Sequence, residues 1–286
     1  MKRLINKVAV LGSGIMGSRI ACHFANAGIN VLLLDIETPV VDGKAPADKN
    51  TLVNTSLQNA IKSSPSPIYK KTFVSRIKTG NFTENMKDIT SCDWILEAVV
   101  ENIDIKKKIF TEVEKYRKPG TLITSNTSGI PIHLMNEDRS KDFQKHFCGT
   151  HFFNPPRYLR LLEIIPTPKT SPEVVDFLTS YGDKFLGKQT VLCKDTPAFI
   201  ANRIGIYSIM SLFHLVEKMG LTVDEVDKLT GTVIGRPKSA TFRTVDVVGL
   251  DTLVKVADYL YASCPNDEKH ESFKLPGYVQ KIADNK

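Results

Sequence analysis

Lys7-Val-Ala-Val-Leu-Gly12-Ser-Gly14-Ile-Met-Gly17 compresses a strand, a tight turn and a helix start into eleven residues. The run from Lys7 to Leu11 is apolar and valine-rich, as a parallel strand buried on both faces requires. Gly12, Gly14 and Gly17 follow at the G-x-G-x-x-G spacing. In such a turn the first glycine permits the reversal, the second lets a pyrophosphate approach the backbone, and the third lets helix and strand close up. The helix predicted over Ile15–Ala27 stops at Gly28, a residue suited to a left-handed C-terminal cap, and its first N–H groups would face the phosphates.

The next strand, Asn30-Val-Leu-Leu-Leu-Asp35, closes on an acid about 20 residues beyond the glycines, where a carboxylate takes the hydroxyls of an adenosine ribose. No arginine stands beside it, so a 2′-phosphate would be repelled and NAD is favoured over NADP. The other reading of Asp35 is a turn residue at a strand end. Gly12, Ser13, Gly14, Ile15, Met16, Gly17 and Asp35 form the candidate cofactor-binding set.

A chain of 286 residues has room for two domains and a sizeable core. Its 42% hydrophobic and 24% charged residues are those of an ordinary globular protein. No apolar run approaches the roughly 20 residues of a membrane span. The basic, then apolar start Met1-Lys-Arg-Leu-Ile-Asn6 runs straight into the glycine turn without a small-residue cleavage site, which points to a cytoplasmic protein. Five scattered cysteines without a C-x-x-C pair indicate buried thiols in a reducing compartment and no metal. The formal charge of +7 suggests an anionic partner, nucleic acid or a phosphorylated small molecule. No basic run with interleaved aromatics supports nucleic acid. The cluster Lys70, Lys71, Arg76 and Lys78 reads equally as a patch for an acyl carrier bearing several phosphates or as a solvated helix face.

Beyond Asp35 a loop is expected over Glu37–Lys49, then helices over Thr51–Ser63 and Ile68–Lys78 separated by Ser64-Pro-Ser-Pro67. That pair reads as an insertion above the carboxyl ends of the strands. Strands are expected at Trp94–Val100, Thr121–Asn126, Gly149–Asn154, Arg160–Ile165 and Thr190–Cys193, with helices at Ile103–Tyr116 and Pro172–Phe185. The strand pattern then stops, and Phe199–Met219, Thr222–Leu229 and Asp251–Tyr261 read as helices. The expected architecture is a Rossmann-type, doubly wound α/β sheet over residues 1–195 followed by a smaller all-α domain over 196–286.

A lone histidine is more often structural than catalytic, but His151 lies near a strand end and Glu163 sits in the next strand, past the turn at Pro155-Pro156. Neighbouring strands can bring these side chains together. An imidazole exchanges a proton near neutral pH, and a buried carboxylate on its second nitrogen fixes the tautomer and stabilises the imidazolium.

Val10-Leu-Gly-Ser-Gly-Ile-Met-Gly17, Glu97-Ala-Val-Val-Glu101-Asn, Ser125-Asn-Thr-Ser128, His151-Phe-Phe-Asn-Pro155, Leu161-Leu-Glu-Ile-Ile165 and Lys194-Asp-Thr-Pro-Ala-Phe-Ile-Ala-Asn-Arg203 resemble, in order, the motif series of the L-3-hydroxyacyl-CoA dehydrogenases. The resemblance implies NAD-dependent oxidation of a 3-hydroxyacyl-CoA to a 3-ketoacyl-CoA in fatty-acid β-oxidation. It makes His151 the base, Glu163 its orienting carboxylate, and Ser128 and Asn202 the groups that hold the substrate's 3-oxygen. Glu101, Lys106 and Asn154 match cofactor-contacting positions. The structural alternatives are a helix cap for Ser128, a helix-surface pair for Glu101 and Lys106, and an Asx turn before proline for Asn154.

Ile234–Asp251 departs from the shorter family members and is similar to long bacterial proteins in which a dehydrogenase precedes an enoyl-CoA hydratase. A glycine-rich segment that follows the helical domain in relatives has no counterpart before Lys286, so the helical domain is expected to be truncated. The resemblance also implies a homodimer through the helical domain, with a hydratase domain or partner in a full-length protein. The rival readings are a β-hydroxyacid dehydrogenase, which would use a lysine base, and a non-catalytic NAD-binding or structural protein on the same fold.

Overall fold

The computed structural model describes residues 3–40 and 46–284; part of the predicted Glu37–Lys49 loop, residues 41–45, and the terminal Asn285 and Lys286 lie outside the described residues. The chain divides into two compact units, Met1–Asp195 and Thr196–Lys286.

The first unit runs β1 (Lys7–Leu11), α1 (Ile15–Asn26), β2 (Asn30–Asp35), α2 (Thr51–Lys62), β3 (Ile77–Asn81), α3 (Phe82–Asn85), β4 (Trp94–Glu97), α4 (Ile103–Tyr116), β5 (Leu122–Ser125), α5 (Ile132–Asn136), α6 (Lys141–His146), β6 (Phe147–Phe152), β7 (Leu161–Pro166), α7 (Pro172–Lys184) and β8 (Gln189–Leu192). These strands form one eight-stranded sheet of order β3-β2-β1-β4-β5-β6-β7-β8. Every pairing is parallel except β6 with β7. Chain direction across the sheet reverses at β1, whose neighbours are β2 and β4, and this switch opens a crevice at the strands' carboxyl ends.

Strict alternation along buried strands gives each face its own core. Val8, Val10, Leu33, Leu96, Leu162 and Ile164 pack with Ile20 and Phe24 of α1 and Val174 and Leu178 of α7. On the other face Phe110 of α4 and Phe143 of α6 meet Phe147 of β6, with ring centroids 5.2–5.7 Å apart. Helix α1 ends as its sequence indicates, with Gly28 at φ 88°. All five cysteines are buried and free.

Residues 68–78 are not a helix. A 3₁₀ turn over Lys71–Arg76 leads directly into edge strand β3, so α2 is the crossover from β2 to β3 rather than half of an inserted pair. Arg76 explains the arrest: its guanidinium covers the Phe73 ring at 4.2 Å and donates to the Ala25 carbonyl, pinning the segment to the end of α1. Lys70, Lys71, Arg76 and Lys78 therefore share no helix face. Strand β4 stops at Glu97 rather than Val100, because Glu97 Oε1 accepts the Val99 N–H and turns the backbone out of the sheet.

The second unit comprises α8 (Ala201–Met219), α9 (Val223–Thr230), α10 (Phe242–Val248), α11 (Leu250–Ser263) and α12 (Gly277–Asp284). Helix α8 starts two residues later than expected, since Ala198 and Phe199 adopt left-handed φ values of 57° and 51°. Met210, Phe213, Val245, Leu253, Ala257 and Val279 form its core. Helix α10, absent from the sequence reading, is capped from a distance: the Asp227 carboxylate accepts the N–H groups of Thr241, Phe242 and Arg243. Among the described residues no helix is long and apolar enough to cross a membrane.

Candidate active site

The glycine turn joins β1 to α1 at the switch point. A Cβ on Gly12 would lie 2.5 Å from the Ala98 carbonyl oxygen, and one on Gly17 would overlap the Gly12 carbonyl. The turn is thus closed against β4 on one side and against itself on the other. A Cβ on Gly14 would meet nothing within 4 Å. That open approach, next to the free N–H groups of α1, is the shape a pyrophosphate requires. A cavity of about 320 Å³ with a mixed lining borders it, formed by Ser13, Gly14, Ile15, Arg19, Asn59 and Ala60 among others. Ile15 is exposed at the mouth and Met16 is partly buried against the core. Asp35 does more than the sequence suggested: its Oδ2 accepts from the Ser13 N–H at 2.5 Å and hydroxyl at 2.6 Å, tying the turn to the end of β2.

Across the switch point, Ser125-Asn-Thr-Ser128 resolves into four separate jobs. Ser125 Oγ donates to Glu97 Oε2 at 2.5 Å. Asn126 donates its N–H to the Glu97 carbonyl and accepts the Phe152 N–H at Oδ1. Thr127 Oγ1 donates to Glu101 Oε1. Ser128 gives the same oxygen its N–H at 3.0 Å, and its exposed hydroxyl stands 3.4 Å away. Ser128 is not the cap of α5, whose capping position is Pro131.

Glu101 and Lys106 are not a helix-surface pair. Lys106, on α4, is buried, with Nζ 2.7 Å from Glu97 Oε1 and 3.2 Å from Glu101 Oε2. Burial raises the Glu97 pKa, and the Lys106 ammonium and the hydrogen bonds from Val99 and Ser125 only partly offset this. For Glu101, burial opposes ionisation too, but the ammonium and the Thr127 and Ser128 donors outweigh it and hold its pKa below the usual carboxylate range.

His151 and Glu163 occupy directly opposed positions of antiparallel β6 and β7. Nδ1 lies 2.7 Å from Glu163 Oε2 and both residues are buried. A carboxylate accepts, so the proton on this side belongs to Nδ1 and Nε2 is the nitrogen able to exchange one. The Phe153 ring covers the imidazole at 4.4 Å between centroids. Asn154, one residue further, is held through Oδ1 by Arg19 of α1 at 3.3 Å rather than by an Asx turn. Asn202 begins the second unit's first helix, in the opening turn of α8.

The sequence reading did not assign Glu97 and Arg19 to the site. A lone acid inside the apolar run Trp94–Val100 was the available signal for the first; Arg19 left none.

A glycine turn at the switch point, an acid closing β2 and a histidine–carboxylate pair on β6 and β7 together define a dinucleotide-binding unit of the dehydrogenase class. Residues 7–196 match the NAD binding domain of 3-hydroxyacyl-CoA dehydrogenase, and residues 199–282 match that family's C-terminal domain. The chain belongs to the 3-hydroxyacyl-CoA dehydrogenase family. A probable 3-hydroxyacyl-CoA dehydrogenase of Bacillus subtilis (strain 168) is 47% identical over 99% of this chain and 37% of its own length. Another, of Deinococcus radiodurans, is 46% identical over 94% of this chain and 78% of its own. This chain thus spans only 37% of the first relative. The crystal structure of (S)-3-hydroxybutyryl-CoA dehydrogenase from Ralstonia eutropha superposes with a TM-score of 0.80 at 26% identity, covering 99% of this chain and 94% of that one.

Proposed function

We propose that this chain oxidises L-3-hydroxyacyl-CoA thioesters to 3-ketoacyl-CoA with NAD, as a dehydrogenase of fatty-acid β-oxidation. The observation that carries the reading is the buried His151–Glu163 pair, opposed in register on β6 and β7 of the sheet that carries the glycine turn. In this reading His151 Nε2 takes the 3-hydroxyl proton, and Glu163, accepting from Nδ1, stabilises the imidazolium that forms. In the opposite direction the imidazolium returns the proton to the ketone oxygen. Ser128 Oγ holds the 3-oxygen from the first unit. Bound NAD supplies a hydride acceptor; Gly12, Ser13, Gly14, Ile15, Met16, Gly17 and Asp35, with Glu101, Lys106 and Asn154, are the residues that hold it.

The test is reduction of acetoacetyl-CoA followed through NADH absorbance, alongside NADH titration. Turnover that is lost in His151→Gln supports the reading. NADH binding without any turnover by the unaltered chain would overturn it in favour of a dinucleotide-binding module.

A further inference from the structure

Glu97 takes no part in the proton transfer proposed above, yet among the described residues it and Glu163 are the two acidic residues whose exposure is 0%. An apolar side chain of similar volume is commonly no less stabilising than a buried ion pair. Fold stability alone therefore does not account for an ion here. What an apolar residue would not supply is a fixed anchor for the Lys106 ammonium.

We propose that Glu97 is a positioning residue for dinucleotide binding that acts through Lys106, holding the ammonium so that Glu101 and the Thr127–Gly129 turn keep a single arrangement. The proposal rests on the reading of the first unit as a dehydrogenase cofactor site. Its geometry is a relay from core to surface. Glu97 Oε1 grips Lys106 Nζ at 2.7 Å, Lys106 grips Glu101 Oε2 at 3.2 Å, and Glu101 Oε1 gathers Thr127 Oγ1 and the N–H groups of Ser128 and Gly129. The Glu101 side chain is 42% exposed, so water competes for its oxygens. A lysine paired with it alone would follow it toward water on a flexible four-carbon stem, and the turn that presents Ser128 would loosen with both.

The second carboxylate oxygen of Glu97 holds Ser125, and its carbonyl holds Asn126, whose side chain fixes Phe152 beside His151. One buried residue thus underlies both the cofactor edge and the base.

The experiment is a double-mutant cycle on the full chain, read by fluorescence titration of NADH and by thermal unfolding. Glu97→Gln keeps the shape and an acceptor for Val99 but removes the charge. It raises the NADH Kd about tenfold, within the span of couplings between sites. In a Lys106→Met background the same substitution changes Kd by less than about twofold, the additivity limit for uncoupled positions. Equal effects in both backgrounds, or an unchanged Kd in Glu97→Gln, overturn the proposal, whatever happens to the unfolding midpoint. If Glu97→Gln does not fold, Glu97→Asp, which keeps the charge but shortens its reach to Lys106 Nζ, takes its place in the cycle with the same two outcomes. Failure of the unaltered chain to bind NADH defeats the functional reading and this proposal together; normal NADH binding in the unaltered chain with no coupling defeats the proposal alone.

Discussion

His151 and Glu163 face each other across one antiparallel register, Nδ1 to Oε2 at 2.7 Å, although twelve residues of chain separate them. The pairing is made by the sheet, not by a flexible contact, so each member can be replaced without moving the other's backbone. His151→Gln should lower kcat by about 10²- to 10⁴-fold, the usual loss of a general base, with little change in NADH affinity. Glu163→Gln keeps the volume but offers an amide to Nδ1, and should lower kcat by about 10²-fold or more through the wrong tautomer. Steady-state rates of acetoacetyl-CoA reduction decide both; an undiminished rate in Glu163→Gln removes the orienting role.

The three glycines of the turn should separate when each becomes alanine. Gly17→Ala forces its Cβ into the Gly12 carbonyl, and Gly12→Ala adds a strained φ of 101° to a 2.5 Å clash, so both should lose stability and NADH binding together. Gly14→Ala meets nothing in the folded chain and has an ordinary φ of −58°. It should unfold within about 0.5 kcal/mol of the unaltered chain while still weakening NADH. Chemical denaturation beside NADH titration makes the comparison; a Gly14→Ala chain as unstable as Gly17→Ala would contradict it.

Stability should fall on mild acidification because of His23. Burial is the main cause of its depressed pKa, about 4, with the Lys188 charge adding to it and the hydrogen bond to the Leu186 carbonyl opposing. An unfolded chain protonates this ring from about 6.5 downward, before the folded one does. The contribution is therefore complete above pH 6.5 and is lost as pH falls toward 4, amounting to about 3 kcal/mol in all. Urea unfolding at intervals from pH 7.5 to 4 should show a shallower loss in His23→Gln than in the unaltered chain.

Trp94 is wholly buried, and its indole N–H is satisfied by Thr124 Oγ1 at 2.9 Å on the neighbouring strand. Thr124→Val keeps the shape and strands the donor, which should cost about 1–3 kcal/mol. NADH affinity should be unchanged, since neither side chain belongs to the crevice. Loss of binding with intact unfolding would show that the β4–β5 contact does more than hold the sheet.

Local pattern was enough for much of this molecule. The Lys7–Gly17 stretch carries its own strand, turn and helix, because glycine spacing and apolar runs express constraints confined to adjacent residues. The meeting of His151 and Glu163 was likewise legible, since a short hairpin leaves few ways to arrange two neighbouring strands. Tertiary structure decided the rest. Residues 68–78 looked helical and edge strand β3 went unread, because an edge strand shows only half an apolar pattern and the arrest before it depends on Arg76 reaching Ala25. The structural alternative for Glu101 and Lys106 was a helix-surface pair, but Lys106 points inward to a carboxylate on another element. Burial of an ion is set by what the rest of the chain places around it, and that information resides in no window of sequence.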